Sequence, residues 1–75
     1  MKHENYYYYK IDVVSRSHGY SFMVRSEDEL TEDEALDKAL SADCFEDEDD
    51  RDCAVVDTLI DESDIKAFAD STTTV

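Results

Sequence analysis

Acidic residues are concentrated in the middle of this chain, and their crowding limits what it can fold into. Residues 27–64 contain 18 Asp and Glu, opposed only by Lys38 and Arg51. Blocks of like charge are often disordered. Here the acids are interleaved with apolar residues at the periods of helices and strands. We therefore expect a folded domain with a strongly acidic surface.

The net charge excludes several classes of ligand. The 75 residues carry a net charge of −14, whereas a protein that binds nucleic acid directly must neutralise phosphates with Lys and Arg. An anionic membrane surface would repel the chain in the same way. No apolar run reaches the ~18–20 residues of a transmembrane helix, and the N-terminus has no apolar signal-peptide core. We expect a cytoplasmic protein that contacts neither nucleic acid nor membrane directly.

The N-terminal third predicts a β-hairpin. Aromatic and β-branched residues alternate with other residues along Tyr6–Val14, and a similar alternation follows along Tyr20–Arg25. A period of two is typical of strands with one buried face. Ser15–Gly19 lies between them, contains the only glycine and is expected to form the connection.

The next segment predicts a helix followed by an acidic loop. After the polar link Ser26–Leu30, Thr31 and Glu34 match the spacing of a capping box. The following segment, Ala42–Asp52, is predicted to be an irregular acidic loop, with Phe45 as its one large apolar anchor. The apolar stripe of the helix, at helical spacing, consists of Ala35, Leu36, Ala39 and Leu40.

The C-terminal third predicts one more strand and one more helix. Cys53–Ile60 is rich in β-branched and apolar residues and is expected to be the third strand. Asp61 can cap a short second helix, and Ser71–Val75 is expected to be a frayed tail. The residues of this helix expected to face inward are Ile65, Phe68 and Ala69.

These elements predict a single α+β domain over residues 1–75 with the order β-β-α-β-α. A right-handed crossover would place the third strand beside the first, giving a three-stranded antiparallel sheet of order 2-1-3. We expect both helices to cover one face of that sheet. The other face would then show Tyr6, Tyr8, Met23 and Arg25 to solvent or to a partner.

Side chains suited to catalysis are sparse. Nucleophilic catalysis needs a Ser or Cys with a His partner held by a third group, and the two histidines lie near the N-terminus (His3) and in the hairpin connection (His18). One glycine cannot form a phosphate-binding loop. Carboxylates in exposed polar runs also lack the burial that separates the pKa values of an acid and a base. We therefore expect that the chain is not an enzyme and that it binds no cofactor.

The two cysteines do not indicate a structural framework. Cys44 and Cys53 are expected to be reduced thiols, with a bridge across their short loop in an oxidising compartment as the alternative. A zinc site that combined them with His3 and His18 would lack the close ligand pairs that structural zinc sites normally have. We expect no zinc site.

The acidic loop does not match a calcium-binding loop either. In an EF-hand loop that began at Asp47, Arg51 would occupy the third ligand position. Asp52 would stand where the turn needs glycine. A specific calcium site is therefore not expected.

Two interpretations of the acidic surface are open: a solvated face that keeps the domain soluble, and a binding face. A net charge of −14 exceeds the ~2–8 that suffices for a small domain. In addition, Asp43, Glu46 and Asp47 follow the end of the predicted helix, where negative charge opposes the helix dipole. A local rule broken without compensation favours a binding face, and its ligand would be cationic.

Such a face can imitate a nucleic-acid backbone. Alternate residues of an extended segment lie ~6–7 Å apart, and residues four apart on a helix lie ~5–6 Å apart, which is of the order of the spacing between phosphates. We therefore expect an inhibitor that blocks the basic DNA- or RNA-binding surface of a partner protein. The expected partner-facing residues are Glu34, Asp37, Glu46, Asp47, Glu48, Asp49, Asp50 and Asp52.

The alternative is a small acidic adaptor or regulator that docks on its partner through the aromatic sheet face. Tyr6 and Tyr8 would then make the contact, and the charge would serve solubility. The salt dependence of partner binding distinguishes the two hypotheses. Binding by mimicry should weaken steeply with ionic strength and compete with DNA, whereas binding through the sheet face should do neither.

Four segments of the chain resemble the small DpnD/PcfM-like proteins, which have a hairpin, a similar helix and an acidic segment before a last strand. These segments are Tyr9–Val14, Phe22–Val24, Thr31–Ala35 and Ala42–Asp52. The resemblance spans residues 7–60 and implies a phage or mobile-element context. In size, charge and α+β fold the chain is also similar in kind to acidic phage-encoded inhibitors, the anti-CRISPR and anti-restriction DNA mimics. Both resemblances imply an intracellular partner protein, such as a phage-defence complex.

Overall fold

Two strands of eight and seven residues form the centre of the fold in the computed structural model, which describes residues 2–14 and 19–75. Further short strands and two helices surround them, so the predicted α+β class is confirmed. The elements in chain order are β1 (Lys2–His3), β2 (Tyr6–Val13), β3 (Tyr20–Ser26), α1 (Glu32–Ser41), a 3-10 helix (Glu48–Cys53), β4 (Ala54–Asp57), α2 (Glu62–Ala67) and β5 (Thr73–Thr74).

The predicted strand order is present, but the sheet is larger than predicted. β2 pairs antiparallel with β3 on one edge and with β4 on the other, and Ile11 lies between Phe22 and Val56. β1 pairs with the first residues of β2 on the edge that β4 also uses. β5 pairs parallel to β3. The expected three-stranded, wholly antiparallel sheet was therefore wrong: the sheet is four strands wide and mixed.

The two extra strands are held by local backbone features. Glu4 and Asn5 join β1 to β2 with φ values of 52° and 75°, and positive φ at both central residues is the geometry of a tight type I′ hairpin. At the other end, the Val75 N–H donates to the Arg25 carbonyl at 2.8 Å. The expected frayed tail over residues 71–75 was thus wrong, because β5 completes the sheet edge beside β3.

The caps of both helices confirm the sequence signals. Thr31 is the N-cap of α1 and forms the predicted capping box with Glu34. Asp61 caps α2 and forms a second capping box with Asp64. Each side-chain cap satisfies backbone N–H groups that have no partner within the helix. These short helices therefore begin where the sequence places them.

The end of α1 has an unusual residue. The Asp43 N–H donates to the Leu40 carbonyl and the Cys44 N–H to the Ala39 carbonyl, at 3.1 and 3.0 Å. This is the pair of hydrogen bonds of a Schellman motif, whose C′ position has left-handed backbone and is usually glycine. Here that position is Asp43, with φ 59°.

The helices pack on opposite faces of the sheet, which corrects the expectation that both cover one face. The α1 face buries Ile11 and Phe45, together with the apolar stripe of the helix. The α2 face buries Tyr8 and Met23 against Ile65. The prediction failed because both faces of the hairpin carry large apolar or aromatic side chains, so alternation alone does not say which face is open.

The region between the helices also differs in detail from the prediction. β4 covers only Ala54–Asp57 of the expected strand Cys53–Ile60, and the expected irregular loop Ala42–Asp52 contains most of the 3-10 helix. Leu30, predicted to lie in a polar link, is buried, and its N–H donates to the buried Tyr9 hydroxyl at 2.6 Å. Of the predicted hairpin connection, only Gly19 is among the described residues.

Candidate functional site: an anchored acidic surface

The acidic segment between α1 and β4 is anchored to the core by Phe45. This side chain is 8% exposed, and its ring meets the ring of Phe22 edge-on with centroids 5.1 Å apart. Phe22 lies on β3, on the face of the sheet that α1 covers. The prediction that Phe45 ties the acidic loop to the core is therefore confirmed.

A tyrosine fixes the same segment at two further points. The Tyr20 hydroxyl donates to Asp50 Oδ2 at 2.6 Å and accepts the Glu46 backbone N–H at 3.0 Å. Burial, and after it the hydrogen bond to Asp50, raise the pKa of Tyr20 above its usual value. Tyr20 thus stays a protonated donor at neutral pH and holds the acidic segment at two positions that follow Phe45 in the chain.

An ion pair joins the 3-10 helix to α1. Arg51 Nη2 and Nε lie 2.7 and 2.9 Å from Asp37 Oδ1. Both side chains are partly solvated, so the pair contributes at most ~1 kcal/mol to stability. Its structural effect is to fix the 3-10 helix beside α1 and to neutralise one of the carboxylates that the sequence assigned to the partner-facing surface.

Seven of the eight predicted carboxylates fall into two groups, and the eighth residue, Glu46, is held through its backbone N–H by Tyr20. Asp37 and Asp50 are engaged as above, Glu34 accepts the Thr31 N–H within the capping box, and Asp47 caps the 3-10 helix by accepting the Asp49 N–H. Within the described part of the chain, no hydrogen bond or ion pair engages three other carboxylates. These three, all exposed to solvent, are Glu48, Asp49 and Asp52.

Sequence reasoning missed Tyr20 and Arg51 as organisers of this surface. Arg51 is the one basic residue in an otherwise acidic run, a pattern that could have indicated an internal ion pair. Tyr20 gave no such signal, since its partners lie 26 and 30 residues away along the chain. What the surface offers chemically is a set of carboxylates on an anchored backbone, some of them hydrogen-bonded within the chain.

The aromatic face proposed as the alternative partner surface is covered. Tyr8 is 4% exposed and packs with Met23 and Ile65 beneath α2. Tyr6 is half-buried, and the Arg25 guanidinium lies 4.3 Å from the centre of its ring. The expectation that Tyr8 is displayed to a partner was therefore wrong, whereas Tyr6 is partly exposed.

Among residues 2–14 and 19–75, no three His, Cys, Asp or Glu side chains are grouped so that they could hold a metal ion. Cys44 and Cys53 are free thiols, the first half-buried and the second exposed. No helix in this part of the chain has the length and apolarity needed to cross a membrane. His18, which the metal hypothesis also used, lies outside the described residues.

Comparisons with known proteins leave the site to be judged on its own geometry. No protein-family model matches the chain, and searches of curated proteins and of solved structures found no match either. The similarity to DpnD/PcfM-like proteins and to acidic phage inhibitors therefore stays a prediction from the sequence.

Proposed function

We propose that this chain is a non-enzymatic inhibitor that imitates a nucleic-acid backbone and occupies the basic surface of a DNA- or RNA-binding protein, for example in a phage-defence complex. The observation that carries the proposal is the anchoring of the acidic segment. Phe45 is buried, Tyr20 bonds to Asp50 and to the Glu46 backbone, and Arg51 ties the 3-10 helix to α1. The backbone that carries the carboxylates of this segment is thus held at several points.

Fixed carboxylates suit mimicry for two physical reasons. A segment that is already ordered loses less conformational entropy on binding than a mobile acidic loop would. The surplus of 16 negative charges over residues 27–64 also steers a basic partner toward this face, which raises the association rate most at low salt. The chain would compete directly with nucleic acid, because both would bind the same Lys and Arg residues of the partner protein.

The test is capture from host-cell lysate on the immobilised protein, followed by elution with duplex DNA or duplex RNA. We expect the captured protein to be released by nucleic acid and by moderate salt. A variant with Glu48→Gln, Asp49→Asn and Asp52→Asn should bind that protein at least about tenfold more weakly, chiefly through a slower association rate. These positions were chosen because their side chains make no internal hydrogen bond in the described structure.

A charge-matched control uses carboxylates near α2, on the other side of the sheet. The variant with Glu4→Gln, Glu62→Gln and Asp70→Asn also removes three negative charges and should bind within about twofold of the native protein. Equal loss in both triple variants would mean that only net charge matters. Capture that resists both nucleic acid and high salt would contradict mimicry.

One observation favours a second candidate, the adaptor, at a different place from the one predicted. Val14 and Val55 are 68% and 57% exposed. Val55 pairs with Asp12, and Val14 lies two residues further along the same face of the sheet, beyond the area that α2 covers. An adaptor would dock there through apolar contact, so its binding would persist in high salt and would be lost in Val55→Ser.

A further inference from the structure

A groove of 280 Å³ lies on the α2 face of the sheet, where the turn between β1 and β2 approaches that helix. Its apolar lining includes Tyr8 and Ile65, which are 4% and 7% exposed. The groove is separate from the acidic segment, whose anchor Phe45 packs on the α1 face. A volume just below the ~300–1,000 Å³ of typical ligand pockets fits a small molecule.

Basic groups outnumber acidic ones around this groove, in contrast to the rest of the chain. Arg25 and Lys66, two of the seven Lys and Arg residues, line it together with His3. Among the described residues that line it, Glu4 is the one carboxylate. His3 lies 3.8 Å from Glu4 and 3.9 Å from Glu62, contacts too long for tight ion pairs.

Arg25 is held in place by neutral groups. Its Nε donates to Thr74 Oγ1 at 2.7 Å, and its guanidinium lies over the Tyr6 ring. A hydrogen bond with Tyr8 is the main cause that raises the pKa of Arg25. Although the chain has 21 carboxylates, none within its described part forms a salt bridge with this arginine. A positioned guanidinium without a bonded carboxylate is suited to recognise an external carboxylate or phosphate.

We propose that the groove binds a small organic anion, with its carboxylate or phosphate against Arg25 and Lys66 and an apolar or aromatic body against Tyr8 and Ile65. The net charge of the chain does not prevent this. The acidic segment packs on the opposite face of the sheet through Phe45, and salt at 0.1 M screens exposed charges beyond ~10 Å.

The first test is an NMR titration of the full chain with four probes. Phenyl phosphate and benzoate carry each anionic group on an aromatic body, benzamide is a neutral analogue of benzoate, and inorganic phosphate lacks the body. We expect saturable millimolar binding of at least one aromatic anion, with shifts at Tyr8, Arg25 and Lys66. Benzamide should bind at least about tenfold more weakly, as expected for loss of a charge-assisted contact. The stronger aromatic anion identifies the preferred head group.

Three results of this titration would overturn the proposal. One is the absence of saturation by either aromatic anion up to about 100 mM. The second is benzamide binding as well as benzoate does. The third is inorganic phosphate binding as tightly as phenyl phosphate, which would leave the groove without a role for its apolar wall.

Single variants then assign the contacts. Lys66→Gln should weaken binding of the preferred anion about threefold to tenfold, and Arg25→Gln should weaken it more. Lys38→Gln, which removes the same charge from α1, is the control and should stay within about twofold. Because Arg25 also supports β5, the exposed Lys66 keeps the test independent of folding. If Lys66→Gln binds like the native chain, or Lys38→Gln loses as much, the groove is not the site.

Discussion

The two faces of the sheet are covered unequally. On one face, the ten-residue α1 and the acidic segment share with the sheet a cluster of nine buried residues, including Ile11 and Phe45, among the described residues. On the other, the six-residue α2 shares with the sheet a cluster of four, among them Tyr8 and Met23. The crowded carboxylates thus lie above the larger core, where burial can offset their repulsion. The smaller core leaves a groove at one end and exposed valines at the other.

The largest effect is expected on the free energy of unfolding, when one phenylalanine from each face of the sheet is replaced by alanine. Phe45→Ala removes a buried ring that packs on Phe22 and should lower the free energy of unfolding by about 3–4 kcal/mol. Phe68→Ala removes a half-buried ring beside α2 and should cost about 1–2 kcal/mol. Urea denaturation of the two variants measures both values. Equal costs would mean that the acidic segment is no better anchored than the α2 region.

Adjacent tyrosines of β2 give the next comparison, because Tyr8 and Tyr9 are equally buried on opposite faces. Tyr9→Phe leaves the buried Leu30 N–H without its partner and should cost about 1–3 kcal/mol. Tyr8→Phe removes a hydroxyl from the wall of the groove that Arg25 also lines, where water can replace its contacts, and should cost less than about 1 kcal/mol. Urea denaturation ranks the pair, and the reverse order would show that the hydrogen bond between Leu30 and Tyr9 contributes little to stability.

The parts of the fold that the sequence predicted are those with local signals. Alternation located the hairpin, the pair Thr31–Glu34 marked the start of the first helix, and Asp61 marked the start of the second. β1 and β5 are two residues long, too short for any periodicity; β1 depends on the tight turn at Glu4 and Asn5, and β5 depends on pairing with β3, which is distant in the chain. The sequence also did not indicate which face of the sheet α2 covers. A tyrosine such as Tyr8 has an apolar ring and a polar hydroxyl, and therefore occurs in both exposed and buried positions.

The same division holds for the candidate site. The sequence predicted both the acidic character of the segment and its anchor, Phe45. It did so because the segment contains many carboxylates and only one large apolar side chain. The partition of the carboxylates is not visible. Asp50 and Asp37 are engaged by Tyr20 and Arg51, residues 30 and 14 positions away. Such pairings depend on tertiary packing, which no local pattern records.

The acidic face also retains a strained residue, and relieving it gives a smaller, stabilising effect. Asp43 has φ 59° at the end of α1, where glycine avoids the steric cost of a Cβ atom. Asp43→Gly should therefore raise the free energy of unfolding by about 1 kcal/mol. Asp43→Asn removes the charge at the negative end of the helix while keeping a side chain, and should recover less of that gain. A destabilised glycine variant would show that the Asp43 side chain has a structural role.

The smallest expected effect is a pH dependence confined to the start of α1. The Thr31 N–H donates to Glu34 Oε1 at 3.0 Å, and this hydrogen bond is the main cause that lowers the pKa of Glu34 from its usual 4.5. A lowered pKa in the folded state means that ionised Glu34 stabilises the fold above pH 4.5, and that this contribution is lost as the pH falls through the folded-state value. Glu34→Gln should thus reduce the melting temperature at pH 6 more than at pH 3.

Asp33→Asn separates the capping bond from the helix dipole. Asp33 lies in the same first turn and is exposed, and no capping hydrogen bond involves its side chain in the described structure. If Glu34 acts through the cap, its variant should show a larger difference between the two pH values than Asp33→Asn does. If the two variants behave alike, only the general attraction of acids to a helix N-terminus is at work. Glu34 would then be free to join the partner-facing carboxylates.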